Sequence, residues 1–390
     1  MVKDIAIKKG YKQTELGVIP EDWEVKKLNE YLDYEQPTEY LVADTEYNDN
    51  NQTPVLTAGK TFILGYTNEE NGIFNKLPVI IFDDFTTAIK FVDFPFKVKS
   101  SAMKMLLPKN NKVNMRFVYE KMLHIKYPLG DHKRHWIGEY QHLEIIVPAS
   151  SEEQTAIATV LSDTDALIEK LEKLIIKKKA IKQGAMQQLL TGKKRLPGFS
   201  GEWEMKELKV LVDFSNGKAH EKFISDNGEY IVANSKFIST EGRIVKYSNQ
   251  CFSPVSAGSI LMVMSDVPNG KAIAKCFLVD KDDKYTVNQR ICALKPKIDS
   301  IFLYYKINRN PFYLSFDDGV KQTNLRKDDV LECKINIPNN RKEQIAIATI
   351  LSDMDFEIEK LEQKRNKYIM LKQGMMQQLL TGRIRIYANN

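Results

Sequence analysis

One long stretch occurs twice in this chain. Gln154–Gly192 reads QTAIATVLSDTDALIEKLEKLIIKKKAIKQGAMQQLLTG and Gln344–Gly382 reads QIAIATILSDMDFEIEKLEQKRNKYIMLKQGMMQQLLTG. The offset is 190 throughout, with no gap, and 25 of the 39 positions are identical. Apolar residues recur at helical spacing in both copies: Ile157, Val160, Leu161, Leu167, Ile168, Leu171, Leu174 and Ile175, then Ile347, Ile350, Leu351, Met354, Ile358, Leu361 and Tyr368. Each copy is therefore predicted to be a long amphipathic helix. At about 1.5 Å per residue it makes a rod of roughly 55 Å, too exposed to be stable alone. Its apolar stripe needs a partner, and the other copy is the nearest. Gly192 and Gly382, each after Leu-Leu-Thr, are expected to stop the helices. Gly184 and Gly374 are expected to weaken or bend them.

The repetition extends past the helices. Trp23 and Trp203 match at an offset of 180, as do Glu24 with Glu204, Lys26 with Lys206 and Leu28 with Leu208. After the second helix the chain reads TGRIRIYANN, where a third unit would be expected to begin. The predicted order is residues 1–150, an N-terminal segment and first globule; 151–195, the first spacer helix; 196–340, the second globule; and 341–390, the second spacer helix.

In the first globule short β-rich runs stand at Pro78–Phe82, Phe91–Val98, Lys104–Leu107 and Leu143–Val147. In the second they stand at Tyr230–Ala233, Ser259–Met264, Lys271–Val279, Arg290–Leu294 and Cys333–Ile337. Brief helical periodicity appears near Met115–Ile125 and Ile301–Ile307. The fold class expected is α+β: two globules with mixed or antiparallel sheet, joined by two long antiparallel helices forming a coiled coil, in a pseudo-two-fold, circular arrangement. The globules match only loosely, as one fold carrying two different surfaces.

With 43% hydrophobic residues and 10% aromatics the chain is globular, not disordered. Lys plus Arg exceeds Asp plus Glu by only 57 to 51, a net charge of +6, so basic residues must be focused on one face to hold an anion. Cys251, Cys276, Cys292 and Cys333 include no C-x-x-C pair and read as reduced core thiols of a cytosolic protein. The longest apolar run, Ile260–Met264, is far short of a membrane span, and the N-terminus has no apolar leader segment, so a cytoplasmic location is expected.

Signs of catalysis are weak. There is no GxG among 19 glycines and no GxxxxGK, so neither an S-adenosylmethionine loop nor an ATP-binding loop is expected. Arg309-Asn-Pro-Phe-Tyr313 resembles an adenine-gripping Asn-Pro-Pro-aromatic motif with one proline missing; a turn after a helix explains it as well. Asp318 with Glu332 and Lys334 has the crude spacing of a nuclease triad, which charged chains produce by chance. His124, His132, His135 and His142 lie close together in the chain without a nearby cysteine, a poor zinc set. Asp163 and Asp165, repeated as Asp353 and Asp355, could hold Mg²⁺ or form a solvated or partner-facing helix edge. Lys177–Lys179 reads as a solvated face. No catalytic residue and no metal site is assigned.

Duplicated helices that stayed alike suggest two surfaces meeting the same partner, whereas globules that diverged suggest two surfaces reading different ligands. One DNA turn is about 34 Å, so a rod of roughly 55 Å could set two reading heads on successive grooves. Reading a base edge needs Arg, Lys, Asn or Gln, while phosphate contacts need cations or exposed N–H groups. The second globule offers Asn234 with Lys236; Asn288, Gln289 and Arg290; and Lys321, Gln322, Thr323 and Asn324. The first offers Lys60 and Thr61, Lys99 and Ser100, and Lys133, Arg134, His135 and Trp136. In both halves the last cluster shortly precedes a closing proline, Pro148 or Pro338. For any one cluster an exposed polar loop is the bland alternative, and Asn288–Arg290 lies inside an apparent strand.

The layout resembles the specificity subunit of type I restriction-modification systems over nearly the whole chain. The residues that carry the resemblance are Thr14-Glu-Leu-Gly-Val-Ile-Pro-Glu-Asp-Trp23, the Glu153-Gln154 and Glu343-Gln344 helix starts followed by Ala-Ile-Ala-Thr, the two Gln-Gln-Leu-Leu-Thr-Gly ends, and Leu196-Pro-Gly-Phe-Ser-Gly-Glu-Trp203. The resemblance implies a non-catalytic chain with two target recognition domains, each reading one half of an asymmetric, interrupted double-stranded DNA sequence, with spacer helices fixing the gap. It implies two adenine-N6 methyltransferase subunits docked along the helices around Gln154, Leu161, Leu171, Gln187, Gln344, Leu351, Leu361 and Gln377. Motor-nuclease subunits would join in the full complex. S-adenosylmethionine, ATP and Mg²⁺ would belong to these partners and none to this chain. The competing classes are a protein-assembly scaffold that reads no DNA and an unrecognised DNA-modifying enzyme.

Overall fold

The computed structural model describes residues 7–57, 59, 61–128, 134–267 and 270–386. The chain forms two compact units, residues 1–172 with 363–390 and residues 173–362. Each combines one globule, the first half of one long helix and the second half of the other.

The duplicated stretches are helices Ser151–Leu189 and Arg341–Leu379, 39 residues each. Both run through Gly184 and Gly374 without interruption, so the expected weakening leaves no break: a single glycine costs about 1 kcal/mol, which packing elsewhere in the helix offsets. The stops are as expected. Gly192 and Gly382 take φ of 73° and 71°, a left-handed conformation that glycine adopts without the Cβ clash other residues meet, and their N–H groups donate to Leu189 and Leu379 carbonyls.

In the first unit the globule is built on an antiparallel four-stranded sheet ordered Leu32–Glu35, Met103–Pro108, Val79–Asp83, Ile89–Val92. A three-stranded sheet pairs Thr53–Leu56 antiparallel with Ile63–Thr67 and parallel with Lys97–Val98. Strand Trp23–Lys27 pairs with Glu144–Pro148, Trp23 opposite Pro148, and helix Met115–His124 starts on an Asn114 cap that accepts from the Phe117 N–H. Ile157, Ala158 and Leu161 of the first long helix enter the same core as Leu379 and Leu380 at the end of the second. Asp165 faces Lys372 and Glu153 faces Arg385, so the two helix segments run antiparallel here.

The second unit repeats this design. Its four-stranded sheet is ordered Val212–Asn216, Ile291–Pro296, Ile260–Val263, Cys276–Leu278. Its three-stranded sheet pairs Tyr230–Ala233 antiparallel with Tyr247–Ser248 and parallel with Tyr285–Val287. Trp203–Glu207 pairs with Lys334–Pro338, Trp203 opposite Pro338, and helix Ser300–Ile307 takes the place of Met115–His124. Ile347, Ala348 and Leu351 share a core with Leu189 and Leu190, and Lys182 faces Asp355. The expectation of one α+β fold used twice, with mixed and antiparallel sheet, holds.

The run Phe91–Val98 is two strand ends, Ile89–Val92 and Lys97–Val98, belonging to different sheets. Asn288–Arg290 is the turn between strands Tyr285–Val287 and Ile291–Pro296, not strand interior. Cys276, Cys292 and Cys333 are buried free thiols, but Cys251 is half-exposed. Arg309–Tyr313 is a turn with Arg309 at φ 56°; Asn310 caps the short helix Pro311–Leu314 and Tyr313 is fully buried. Asp318 is occupied in a turn, accepting from the Val320 and Lys321 N–H groups.

Candidate nucleic-acid interface

The shared topology makes positions in the two globules comparable. In each three-stranded sheet the parallel pair ends together: Leu56 is level with Val98, and Ala233 with Val287. The next N–H on the second strand then donates back to the first, Lys99 to the Leu56 carbonyl at 2.9 Å and Asn288 to the Ala233 carbonyl at 3.1 Å. The described residues leaving these strands, Thr57, Thr61 and Phe62 beside Lys99 and Ser100 in one globule and Asn234–Lys236 beside Asn288–Arg290 in the other, therefore start from equivalent places. The third cluster joins them through the neighbouring sheet. Asp84 N–H donates to the Ala102 carbonyl and receives His135 N–H on its own carbonyl. Met264 does the same between Arg290 and Leu325. Arg134 and Asn324, each one residue earlier, thus stand at matching positions.

Among the described residues, three segments of each globule, far apart in sequence, are thus tied by equivalent backbone bonds. The shared placement before Pro148 and Pro338 was the sequence trace of the third loop.

In the second globule Asn234, Lys236, Asn288, Gln289 and Arg290 line one cavity of about 420 Å³ together with Ile224, Val232, Ser235 and Lys246. Lys236, Lys246 and Arg290 are exposed, and no carboxylate lines the wall, so the cavity favours an anion. Asn234 is partly committed: its Oδ1 accepts from the Phe237 N–H at 2.9 Å to cap helix Ser235–Ser239. Lys246 escaped the sequence reading because it stands just before strand Tyr247–Ser248, apart in sequence from Asn234–Lys236 and Asn288–Arg290, and only the fold brings it to Arg290. Gln322 donates through Nε2 to Ser265 Oγ at 2.8 Å, and that hydroxyl donates to Asn324 Oδ1 at 2.7 Å; Lys321, Gln322 and Asn324 are exposed. Thr323 is corrected to a structural residue, 5% exposed, with its hydroxyl donating to Asp317.

In the first globule Thr61, Lys99 and Arg134 are exposed and Ser100 is half-buried. Lys60 and Lys133 lie outside the described residues. His135 and Trp136 are corrected to core residues at 1% and 0% exposure. Trp136 packs edge-on against Phe82 with ring centres 5.1 Å apart, and the fold turns it inward. A larger cavity of about 520 Å³ beside strand Trp23–Lys27 is lined by Glu24, Glu30 and Glu152 against Lys26 and Lys112. That balance does not suit a polyanion.

Of the helix positions expected to dock partners, Gln154, Leu161, Leu171, Gln344 and Leu351 are buried; Leu161 lies in the core of the first unit and Leu351 in that of the second. Gln154 and Gln344 instead donate through Nε2 to the Pro148 and Pro338 carbonyls at 3.0 and 2.8 Å. Leu361 is half-buried, and Gln187 and Gln377 are exposed. Asp163 and Asp353 are exposed, as expected of a solvated edge, whereas Asp165 and Asp355 are half-buried and hold Lys372 and Lys182. Lys178 and Lys179 pair with Glu357 and Glu362 rather than standing free. Among the described residues no group of His, Cys, Asp or Glu could hold a metal ion, and no helix is long and apolar enough to cross a membrane.

Comparison with known proteins gives one consistent pattern. The family described as Type I restriction modification DNA specificity domain matches residues 20–180 and 200–369. A type I restriction enzyme specificity subunit of Escherichia coli is 33% identical over 353 residues, covering 84% of this chain and 85% of that protein. One from Methanocaldococcus jannaschii is 26% identical over 407 residues, 94% of each chain. Among solved structures, the S subunit of a type I restriction-modification system from M. genitalium superposes with a TM-score of 0.68 at 15% identity, covering 92% of this chain and 96% of that one.

Proposed function

The chain belongs to the type I restriction-modification DNA specificity family, and from that premise we propose how its two globules divide the work. The chain is a specificity subunit: it recognises DNA and assembles with the other subunits of a restriction-modification complex. Each globule reads one half of a bipartite duplex target through its three segments. The observation that supports this assignment is the pair of equivalent strand ends at Leu56/Val98 and Ala233/Val287, beside which Lys99 is exposed in one globule and Lys236 and Arg290 in the other.

In the second globule Arg290, Asn288 and Gln289 supply base-edge groups, while Lys236 and Lys246 neutralise phosphates. In the first, Thr61, Lys99 and Ser100 take the corresponding places, with Arg134 at the position matching Asn324; Lys60 and Lys133, beside them in sequence, are assigned to the same role. The two long helices set the gap between half-targets, a reading supported by their common register and by the ion pairs that repeat along them. Exposed positions near Gln187 and Gln377, with apolar Ile176, Met370 and Phe356, serve as docking points for adenine-N6 methyltransferase subunits. Those subunits bring S-adenosylmethionine, and motor-nuclease subunits bring the ATP and Mg²⁺ chemistry of cleavage.

Methylation mapping of a host carrying this chain with its methyltransferase partner tests the assignment. The expected result is an interrupted, asymmetric motif in which Arg290→Ala relaxes one half only. A continuous motif, or relaxation of both halves together, would refute it.

A further inference from the structure

Beneath the loops of the first globule lies a buried ion pair that the second globule does not have at the matching positions. The Asp84 carboxylate and the Lys104 ammonium are 3.3 Å apart, at side-chain exposures of 1% and 0%. Lys104 also donates to Gln36 Oε1 at 3.0 Å. Asp84 Oδ1 accepts from the Trp136 N–H at 2.8 Å. The backbone of the same residue binds the Ala102 carbonyl and the His135 N–H. One residue thus fastens the end of the Lys99–Ser100 loop and the segment that follows Arg134. Counted through the strand registers, Met264 stands where Asp84 does and Cys292 where Lys104 does. There the two loops are joined by backbone bonds to Met264, whose side chain is a thioether.

Charges taken out of water at a heavy desolvation cost do not persist for stability alone, since apolar replacements pack as well. What Asp84 provides here is direction: Lys104 lies on Oδ2, which leaves Oδ1 as the acceptor of the Trp136 N–H, a place the single carbonyl oxygen of an asparagine could also fill. Base readout needs its side chains held within about 0.5 Å. We propose that Asp84 is a positioning residue for sequence reading by the first globule, setting the Lys99 and Arg134 loops through its bond to Trp136. The proposal rests on the reading of these loops as the DNA-facing surface.

The full chain, assembled with its methyltransferase subunits, is offered a duplex library randomised at both half-targets, and the methylated products are sequenced. Arg290→Ala first identifies the half read by the second globule. The doubly substituted Asp84→Leu/Lys104→Met chain, free of unpaired buried charge, is expected to lose roughly tenfold discrimination at the other half only, the worth of about one base contact. Asp84→Asn/Lys104→Met keeps an acceptor for Trp136 and is expected to retain most of that discrimination. Should the leucine variant not fold, the asparagine variant alone decides, and its failure to discriminate overturns the proposal. Wild-type discrimination by a folded leucine variant, or equal loss at both halves, overturns it as well. If Arg290→Ala relaxes neither half, the DNA-facing assignment itself fails, which is a different outcome.

Discussion

The Lys372 ammonium lies 2.7 Å from the Asp165 carboxylate, fastening the end of the second long helix to the start of the first. The contact recurs with the roles exchanged, Lys182 to Asp355 at 2.5 Å, as the constant offset between the two copies requires. Their surroundings differ. Lys372 also holds Glu120, fully buried, at 3.2 Å, whereas Asp355 is also held by the Tyr305 hydroxyl at 2.6 Å. Lys372→Met is therefore expected to cost about 2 to 3 kcal/mol, because buried Glu120 is left with Arg116 alone. Lys182→Met is expected to cost about 1 kcal/mol, since Asp355 keeps Tyr305. Urea unfolding of both variants checks this; equal losses would show the local partners to be irrelevant.

The ends of both helices are capped from the globules. Lys121 donates to the Leu380 carbonyl and Lys306 to that of Leu190, at 2.7 and 2.8 Å. Burial pulls the Lys121 ammonium down to about 7 and Lys306 to about 8. In the unfolded chain a lysine titrates near 10.4. Between the two values the unfolded chain keeps a proton that the folded chain has released, so the stability contribution rises with pH above about 7 and is flat below it. The unfolding midpoint of the wild type should thus climb relative to that of Lys121→Met from pH 7 to roughly pH 9. Midpoints that track each other would show that the amine stays charged against the carbonyl.

Arg385 grips Glu153 through two nitrogens at 2.5 and 2.6 Å and Asp22 at 2.7 and 2.8 Å. Arg195 grips Glu343 in the same way at 2.6 and 2.8 Å. The Glu153 side chain is 4% exposed and also accepts from Trp23 Nε1. Arg385→Ala is expected to destabilise the first unit by about 3 kcal/mol, the cost of orphaning a buried carboxylate. Arg385→Ala with Glu153→Gln should recover part of it. Thermal unfolding of the three chains decides, and no recovery in the double variant would assign the loss to packing against the Trp23 ring.

Because Lys246 and Arg290 share one acid-free cavity wall, their replacement should separate two kinds of contact. Lys246→Ala is expected to weaken duplex binding for all sequences and lower the slope of log affinity against log salt by about 1. Arg290→Ala should instead cost about 1 to 3 kcal/mol on the specific target alone. A salt titration of the assembled methyltransferase on specific and non-specific duplexes separates these outcomes.

Much of this was legible in the chain. The helix pair was readable because a helical apolar period sustained along the whole of each copy admits one regular structure, and the repeat because identical residues recur at one offset. Arg385 could have been matched to Arg195 through the same offset, which turns the residual TGRIRI into a docking segment. The partners of the helix stripe were legible in part: Leu161 and Leu351 pack with the end of the other copy, as expected, and also with their own globules, since a stripe records only that burial occurs, not against what. Trp136 and Thr323 were misjudged because polar neighbours in sequence say nothing about which way a side chain turns.

Sequence alone determined the twofold repetition, the long helices and their ends, and the family, since these rest on local periodicity and on residue identity along the chain. Only the tertiary structure decided which loops stand together. The parallel strand pairs join Leu56 to Val98 and Ala233 to Val287 across long stretches of intervening chain, and Lys246, Asp84 and Lys104 gain their surroundings through such pairings. Strand pairing is a choice among many registers of similar local preference, settled by the burial of side chains distant in the chain.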